Sequence, residues 1–153
     1  MREPLPFRDH SAAIVYSEHF FEHLEYPSAA MNFLRESFRV LQPGGAFSVG
    51  VPDTEWPLID YPNTGKYFQF IKTKPWHPEW VRTRLDHINY HFRQDGEHHY
   101  AYDEETLALA LRTVGFIGIR RREFDPAIDA EARRVGTLYM TATKPEMASA
   151  PQR

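Results

Sequence analysis

The chain has 153 residues, a length that suits one domain, and its 42% hydrophobic and 25% charged residues are close to a soluble globular average. A formal net charge of −3 excludes a whole-chain basic field of the kind that holds nucleic acid or an anionic membrane. There is no cysteine, which excludes disulfides, CxxC redox chemistry, thiolate zinc sites and iron–sulfur clusters. No stretch approaches the roughly 18–20 apolar residues of a membrane span, and Met1–Asp9 lacks the apolar region of a secretory signal. The expected location is cytoplasmic.

Ala12-Ala13-Ile14-Val15-Tyr16 is a short apolar run with β-branched members, the pattern of a strand buried on both faces in a parallel sheet. Ser17-Glu18-His19 reads as a strand-to-helix turn. Ser28 is placed to cap the next helix, where Ala30, Phe33, Leu34, Phe38 and Leu41 recur at three- and four-residue spacing as one apolar stripe. Pro43-Gly44-Gly45 is expected to stop that helix through a left-handed glycine. Ala46–Val51 is a second apolar strand, ended by Pro52-Asp53. Strand, helix and strand with a tight turn make a βαβ unit with parallel strands.

Residues 54–96 hold several prolines, all three tryptophans and many Tyr and Phe, without a clean period until a helix expected over Pro78–Tyr90. This aromatic-rich stretch reads as an insertion over the sheet edge, a lid or binding loop. Trp56, Tyr61, Tyr67, Trp76 and Trp80 are its candidates for lining an acceptor pocket, with lid packing as the ordinary role. Tyr102–Gly115 reads as a helix with Asp103, Glu104 and Glu105 in its first turn and Leu107, Leu111 and Val114 as its buried stripe. Phe116–Phe124 and Gly136–Thr143 are the last strands; alternation puts Arg120 and Arg122 on one face. Residues 1–145 form the expected domain, and 146–153 a disordered tail.

Several of these segments together resemble the class I S-adenosylmethionine-dependent methyltransferases, most closely the small type 11 group. The residues that carry the resemblance are Leu5-Pro6-Phe7, Asp9, Ser11, Tyr16-Ser17-Glu18-His19, Glu22-His23-Leu24, Arg35-Glu36, Arg39-Val40-Leu41, Pro43-Gly44-Gly45 and Val51-Pro52-Asp53. His98, Tyr102–Leu107, Gly115-Phe116, Leu138-Tyr139 and Lys144-Pro145 resemble the group's downstream half. The resemblance implies an α/β, Rossmann-like methyltransferase sheet of order 3-2-1-4-5-7-6, of which this chain supplies strands 4-5-7-6, a truncated domain. The family's Gly-rich loop and the acidic residue after its second strand have no counterpart here. The strand Ala13–Ser17 is then expected to be an exposed edge, a template for a homodimer or another partner.

The resemblance also implies a cofactor, S-adenosylmethionine, contacted by Leu5, Phe7, Ser17, Glu18 and His19, and a small-molecule methyl acceptor. Ser17, Glu18 and His19 follow the carboxyl end of a parallel strand, where open α/β sheets bind ligands; Ser17 as a helix cap is the ordinary alternative. Asp53 is expected in the same crevice, as a base or an Asx turn. His19, Asp53 and His98 are the candidate catalytic residues, should the acceptor have to lose a proton; no metal is required. Arg35, Glu36 and Arg39 read as a solvated helix face with a weak surface pair. Two rival readings remain: a non-catalytic fragment that pairs with a partner, and a zinc hydrolase. The second rests on His19-Phe20-Phe21-Glu22-His23, which spells the inverted zincin pattern, with Glu97, His98 or His99 as further ligands.

Overall fold

The structure, a computed structural model, describes residues 4–75 and 77–147. Met1, Trp76 and the tail residues 148–153 therefore lie outside the described residues. Among the described residues nine strands and α-helices follow one another: β1 (Ala12–Glu18), α1 (Ser28–Val40), β2 (Leu41–Pro52), α2 (Glu55–Asp60), α3 (Lys66–Ile71), α4 (Arg84–Arg93), α5 (Glu104–Val114), β3 (Ile117–Arg121) and β4 (Thr137–Thr143). The sheet order is β1-β2-β4-β3, with β1 parallel to β2 and β4 antiparallel to both its neighbours. This is the 4-5-7-6 arrangement expected from the sequence.

The core lies on one face of this sheet. Phe47, Val49 and Val51 alternate along β2, and Leu138, Met140 and Ala142 along β4, all buried. Against them pack Ala30, Phe33 and Leu34 of α1 and Leu107, Ala110 and Leu111 of α5. Burying one such Leu or Phe is worth about 1.5–3 kcal/mol, so α1 and α5 are held by their apolar stripes. Helix α5 starts one residue after Asp103, whose carboxylate accepts from the Thr106 amide, and ends at Gly115 with φ +107°.

Local details depart from the sequence reading. Ser28 is the first residue of α1 and makes no capping hydrogen bond. Helix α1 does not stop at a glycine: Leu41 takes an extended conformation and passes directly into β2. Gly44 does adopt φ +76°, but within β2, where Ala12 pairs with Leu41 and Ile14 already pairs with Ala46. The left-handed glycine thus serves a bulge. Helix α4 begins six residues after Pro78, because Thr83 and Asp86 close a capping box there. Lys144, near the end of the expected domain, is anchored in it. Its Nζ donates to the carbonyls of Phe38 (2.6 Å) and Leu41 (2.8 Å), satisfying the end of α1.

β1 is an edge strand and is not covered on both faces: Ile14 is 51% and Tyr16 36% exposed. The sheet face on which Tyr16 lies is polar further in. Arg122 lies just beyond β3 and forms a paired contact with Asp129, both distances 2.6 Å. Asp129 also accepts from Tyr16 Oη and the Asp125 amide, and Arg122 Nε donates to Ser48. Arg120, its expected partner in alternation, stays at the surface and donates to Gly118 O. The Arg122–Asp129 pair ties the 122–136 loop across the sheet.

Arg39 is more than a surface pair. Its guanidinium binds Glu36, Asp9 and the carbonyls of Leu5 and Phe7, and Glu36 also accepts from the Leu5 amide. Arg39 holds the carboxyls of both Glu36 and Asp9 below their ordinary values. The pair is a strap for the segment ahead of β1.

Candidate functional site

A cavity of about 400 Å³ opens at the carboxyl ends of β1 and β2. His19 comes from the turn after β1, Pro52 from the end of β2, and Gly136 from the turn just before β4. The cover supplies Tyr67 from α3, with His87, Tyr90 and His91 from α4. His98, Arg133 and Val135 complete the mouth.

The cover is built to hold these side chains. The Asp60 carboxylate accepts from the amides of Tyr67 and Phe68, capping α3. Arg84 donates to the carbonyls of Tyr61 (2.5 Å) and Asn63, bringing α4 onto the α2–α3 turn. Phe68, Ile71, Val81 and His87 are buried beneath. Of the aromatic candidates, Tyr67 lines the cavity. Trp56, Tyr61 and Trp80 do not; each is exposed by more than two fifths. Trp56 lies on the outer side of the six-residue α2, and Tyr61 and Trp80 lie in turns.

His19 carries the strongest geometric signature. It has φ +47°, the left-handed region that a non-glycine residue seldom occupies. Thr137 donates to the Arg133 carbonyl, so its Oγ1 accepts from His19 Nε2 at 2.8 Å. That leaves Nδ1 with a lone pair, 3.4 Å from Arg133 Nη1 and 3.4 Å from Glu22 Oε1. Burial, with Arg133, His98 and His23 adding, lowers the His19 pKa to about 3. Burial likewise lowers His91 to about 3 and His87 to about 4. The imidazoles of the cavity are therefore neutral at pH 7. Glu22 moves the other way: burial raises it to about 7.

The sequence candidates separate. His19 and His98 meet at the cavity, and His98 Nδ1 donates to the His91 carbonyl. Asp53 is buried but is not in the cavity wall. Its Oδ1 accepts from the Glu55 amide, an Asx turn, and Oδ2 faces Arg121 at 3.6 Å. Burial outweighs Arg121 and raises its pKa. Ser17 Oγ is buried without a hydrogen-bond partner among the described residues, a feature that fits a ligand contact at the end of β1. The Glu18 carboxylate accepts from Tyr139 Oη and the Ala130 amide. Leu5 and Phe7 lie with Arg39, apart from the cavity. The inverted zincin arrangement is not formed: Phe21–His23 is a single 3-10 turn and His19 is left-handed, so no helix presents both histidines. Arg133, Tyr90 and Gln94 were not singled out in the sequence; loop and helix-end residues of this kind carry no periodic signal.

Residues 2–49, about a third of the chain, match the family model described as a methyltransferase domain. Among solved structures the fold is similar to a chain in a complex of the Haloferax volcanii Trm112 methyltransferase activator with a methyltransferase, at 18% identity and TM-score 0.54. That match covers 96% of this chain and 60% of the other. A SAM-dependent methyltransferase from Methanosarcina mazei matches at 17% identity and TM-score 0.53, over 94% of this chain and 64% of the other. One from Archaeoglobus fulgidus matches at 15% identity and TM-score 0.52, over 90% and 62%. No curated protein matches the sequence. The chain thus resembles the methyltransferase-domain family in sequence over residues 2–49 and shares the Rossmann-like fold of these solved methyltransferases. It spans about three fifths of the length of these three solved chains. Among the described residues no helix is long and apolar enough to cross a membrane.

Proposed function

We propose that the chain forms the acceptor side of an S-adenosylmethionine-dependent methyltransferase acting on a small molecule. The observation that carries this reading is the cavity at the carboxyl ends of β1 and β2. Its volume of about 400 Å³ lies in the range of small-ligand sites. Neutral imidazoles and Tyr67 offer a lining that can hydrogen-bond and stack, with the Arg133 guanidinium as a cation at the mouth. The cofactor, when bound, supplies a methyl group already activated by its sulfonium, so the protein's task is positioning. Ser17 Oγ and His19 are the contacts offered on the donor side. His19 and His98 orient the acceptor. A cytoplasmic location fits this reading.

Calorimetric titration of the chain with S-adenosylmethionine and S-adenosylhomocysteine tests it. Saturable binding near one site per chain, weakened in Ser17→Val, is expected. No binding at millimolar cofactor overturns the reading for this chain.

The free edge of β1 bears on assembly. A strand pairing antiparallel with its own copy satisfies both edges by two-fold symmetry, and Ile14 and Tyr16 offer apolar surface beside it. The expected occupant is therefore a second copy. Light scattering should give a dimer that Ile14→Lys converts to monomer; a monomeric native chain overturns the pairing.

A further inference from the structure

We propose that Glu22, His23 and His98 form a binding site for a first-row divalent cation of the zinc type, on the wall of the cavity. This departs from the metal-free expectation of the sequence resemblance, and it stands whether or not the chain transfers methyl groups.

Three observations converge on one point. The first is the cluster itself: one carboxylate oxygen and two imidazole nitrogens lie within 4.8 Å of one another. Glu22 Oε1 is already 3.8 Å from His23 Nε2. A tetrahedral ion bound at about 2.0–2.1 Å draws its ligand atoms to about 3.4 Å apart, so small side-chain rotations close the site.

The second is the state of Glu22. Its side chain is 2% exposed, and neither carboxylate oxygen has a hydrogen-bond partner among the described residues. A buried carboxylate without a partner is costly, and such groups are normally paired or coordinate a metal. Its backbone carbonyl is meanwhile fixed by the amides of His99 (2.9 Å) and Tyr100 (3.2 Å). The Glu22 backbone is thus held in place, and its carboxylate faces the imidazoles of His23 and His98, with His19 Nδ1 also 3.4 Å from Oε1.

The third is the outer shell. His23 Nδ1 donates to the Glu97 carbonyl at 2.9 Å, and His98 Nδ1 donates to the His91 carbonyl at 2.8 Å. Each N–H fixes its tautomer, so both Nε2 atoms carry lone pairs. This is the second-shell pattern of metal-ligating histidines. The rings stand nearly perpendicular, at 79° with centroids 5.0 Å apart.

Two imidazoles and a carboxylate leave a fourth position for water or a ligand atom, the donor set of open zinc sites. His98 belongs to the cavity wall, so that position would be available to a molecule bound there. The two imidazole nitrogens favour zinc-type ions over magnesium or calcium, which take oxygen ligands.

The test uses the full chain after chelator treatment, titrated with zinc chloride by calorimetry and with cobalt chloride by visible absorption. One saturable site per chain is expected, with the intense cobalt bands of low coordination number. Glu22→Gln, His23→Ala and His98→Ala should each weaken binding at least about tenfold. His99→Ala, an exposed neighbour, should leave it unchanged. Circular dichroism of each variant separates loss of the site from loss of the fold, and Glu22→Gln keeps the side-chain shape. Absence of saturable zinc or cobalt binding by the folded native chain overturns the proposal. So does binding that survives all three substitutions.

Discussion

The two faces of the sheet are held by different physics. On one, Phe47, Val49, Val51, Leu138 and Met140 meet α1 and α5 in a dry apolar layer. On the other, Tyr16, Ser48, Tyr139, Arg122 and Asp129 form a hydrogen-bonded layer beneath the 122–136 loop. The apolar layer tolerates changes of detail, since dispersion and burial are non-directional. The polar layer depends on each partner, because a buried charge left alone costs more than the pair contributes. The second layer also reaches the site: Glu18, beside His19, is bound to Tyr139 and the loop.

The largest expected effect lies on the apolar face. Phe47 is fully buried and packs against Phe33 and Phe116, so Phe47→Ala should cost about 4 kcal/mol in urea unfolding. On the polar face Asp129→Asn should cost about 3 kcal/mol, since it leaves the Arg122 guanidinium, 15% exposed, without its counter-charge. If Asp129→Asn costs under about 1 kcal/mol, the contrast between the faces fails.

Acid sharpens the same contrast. Arg122 holds the Asp129 carboxyl below its ordinary value. Its stabilisation is complete above the unfolded carboxylate pKa, about 4, and is lost as the pH falls through the lower folded value. The stability gap between native chain and Asp129→Asn should therefore narrow below about pH 4, while the gap to Phe47→Ala should not. Melting temperatures across pH 2–7 would check both. Tyr16→Phe should have the smallest effect, about 1 kcal/mol, because it removes one hydrogen bond to Asp129 and leaves the ion pair intact. A double-mutant cycle of Tyr16 and Asp129 would measure the coupling directly.

The βαβ unit was legible because apolar periodicity agreed with the resemblance carried by Tyr16–His19, Arg39–Leu41, Pro43–Gly45 and Val51–Asp53. Helix α5 was legible from its apolar stripe and from Gly115 as its end, while Asp103, read as a first-turn residue, serves as the N-cap. The cover over the cavity was less so. Pro78 suggested a helix start, but the capping box of Thr83 and Asp86 decided it. Of the three candidate residues, His19 and His98 line the cavity, whereas Asp53 closes an Asx turn outside its wall. The metal-ligand letters at 19–23 suggested a helix face that the left-handed His19 does not allow.

The sequence by itself determined the fold class, the parallel pairing of its first two strands and the identity of the core stripes, since these follow from period and local chemistry. Only the tertiary structure decided that Glu22, His23 and His98 converge, that Arg133 faces His19, and that Arg122 finds Asp129. Such contacts join residues from separate elements, and no local period records which distant side chains packing will bring within reach.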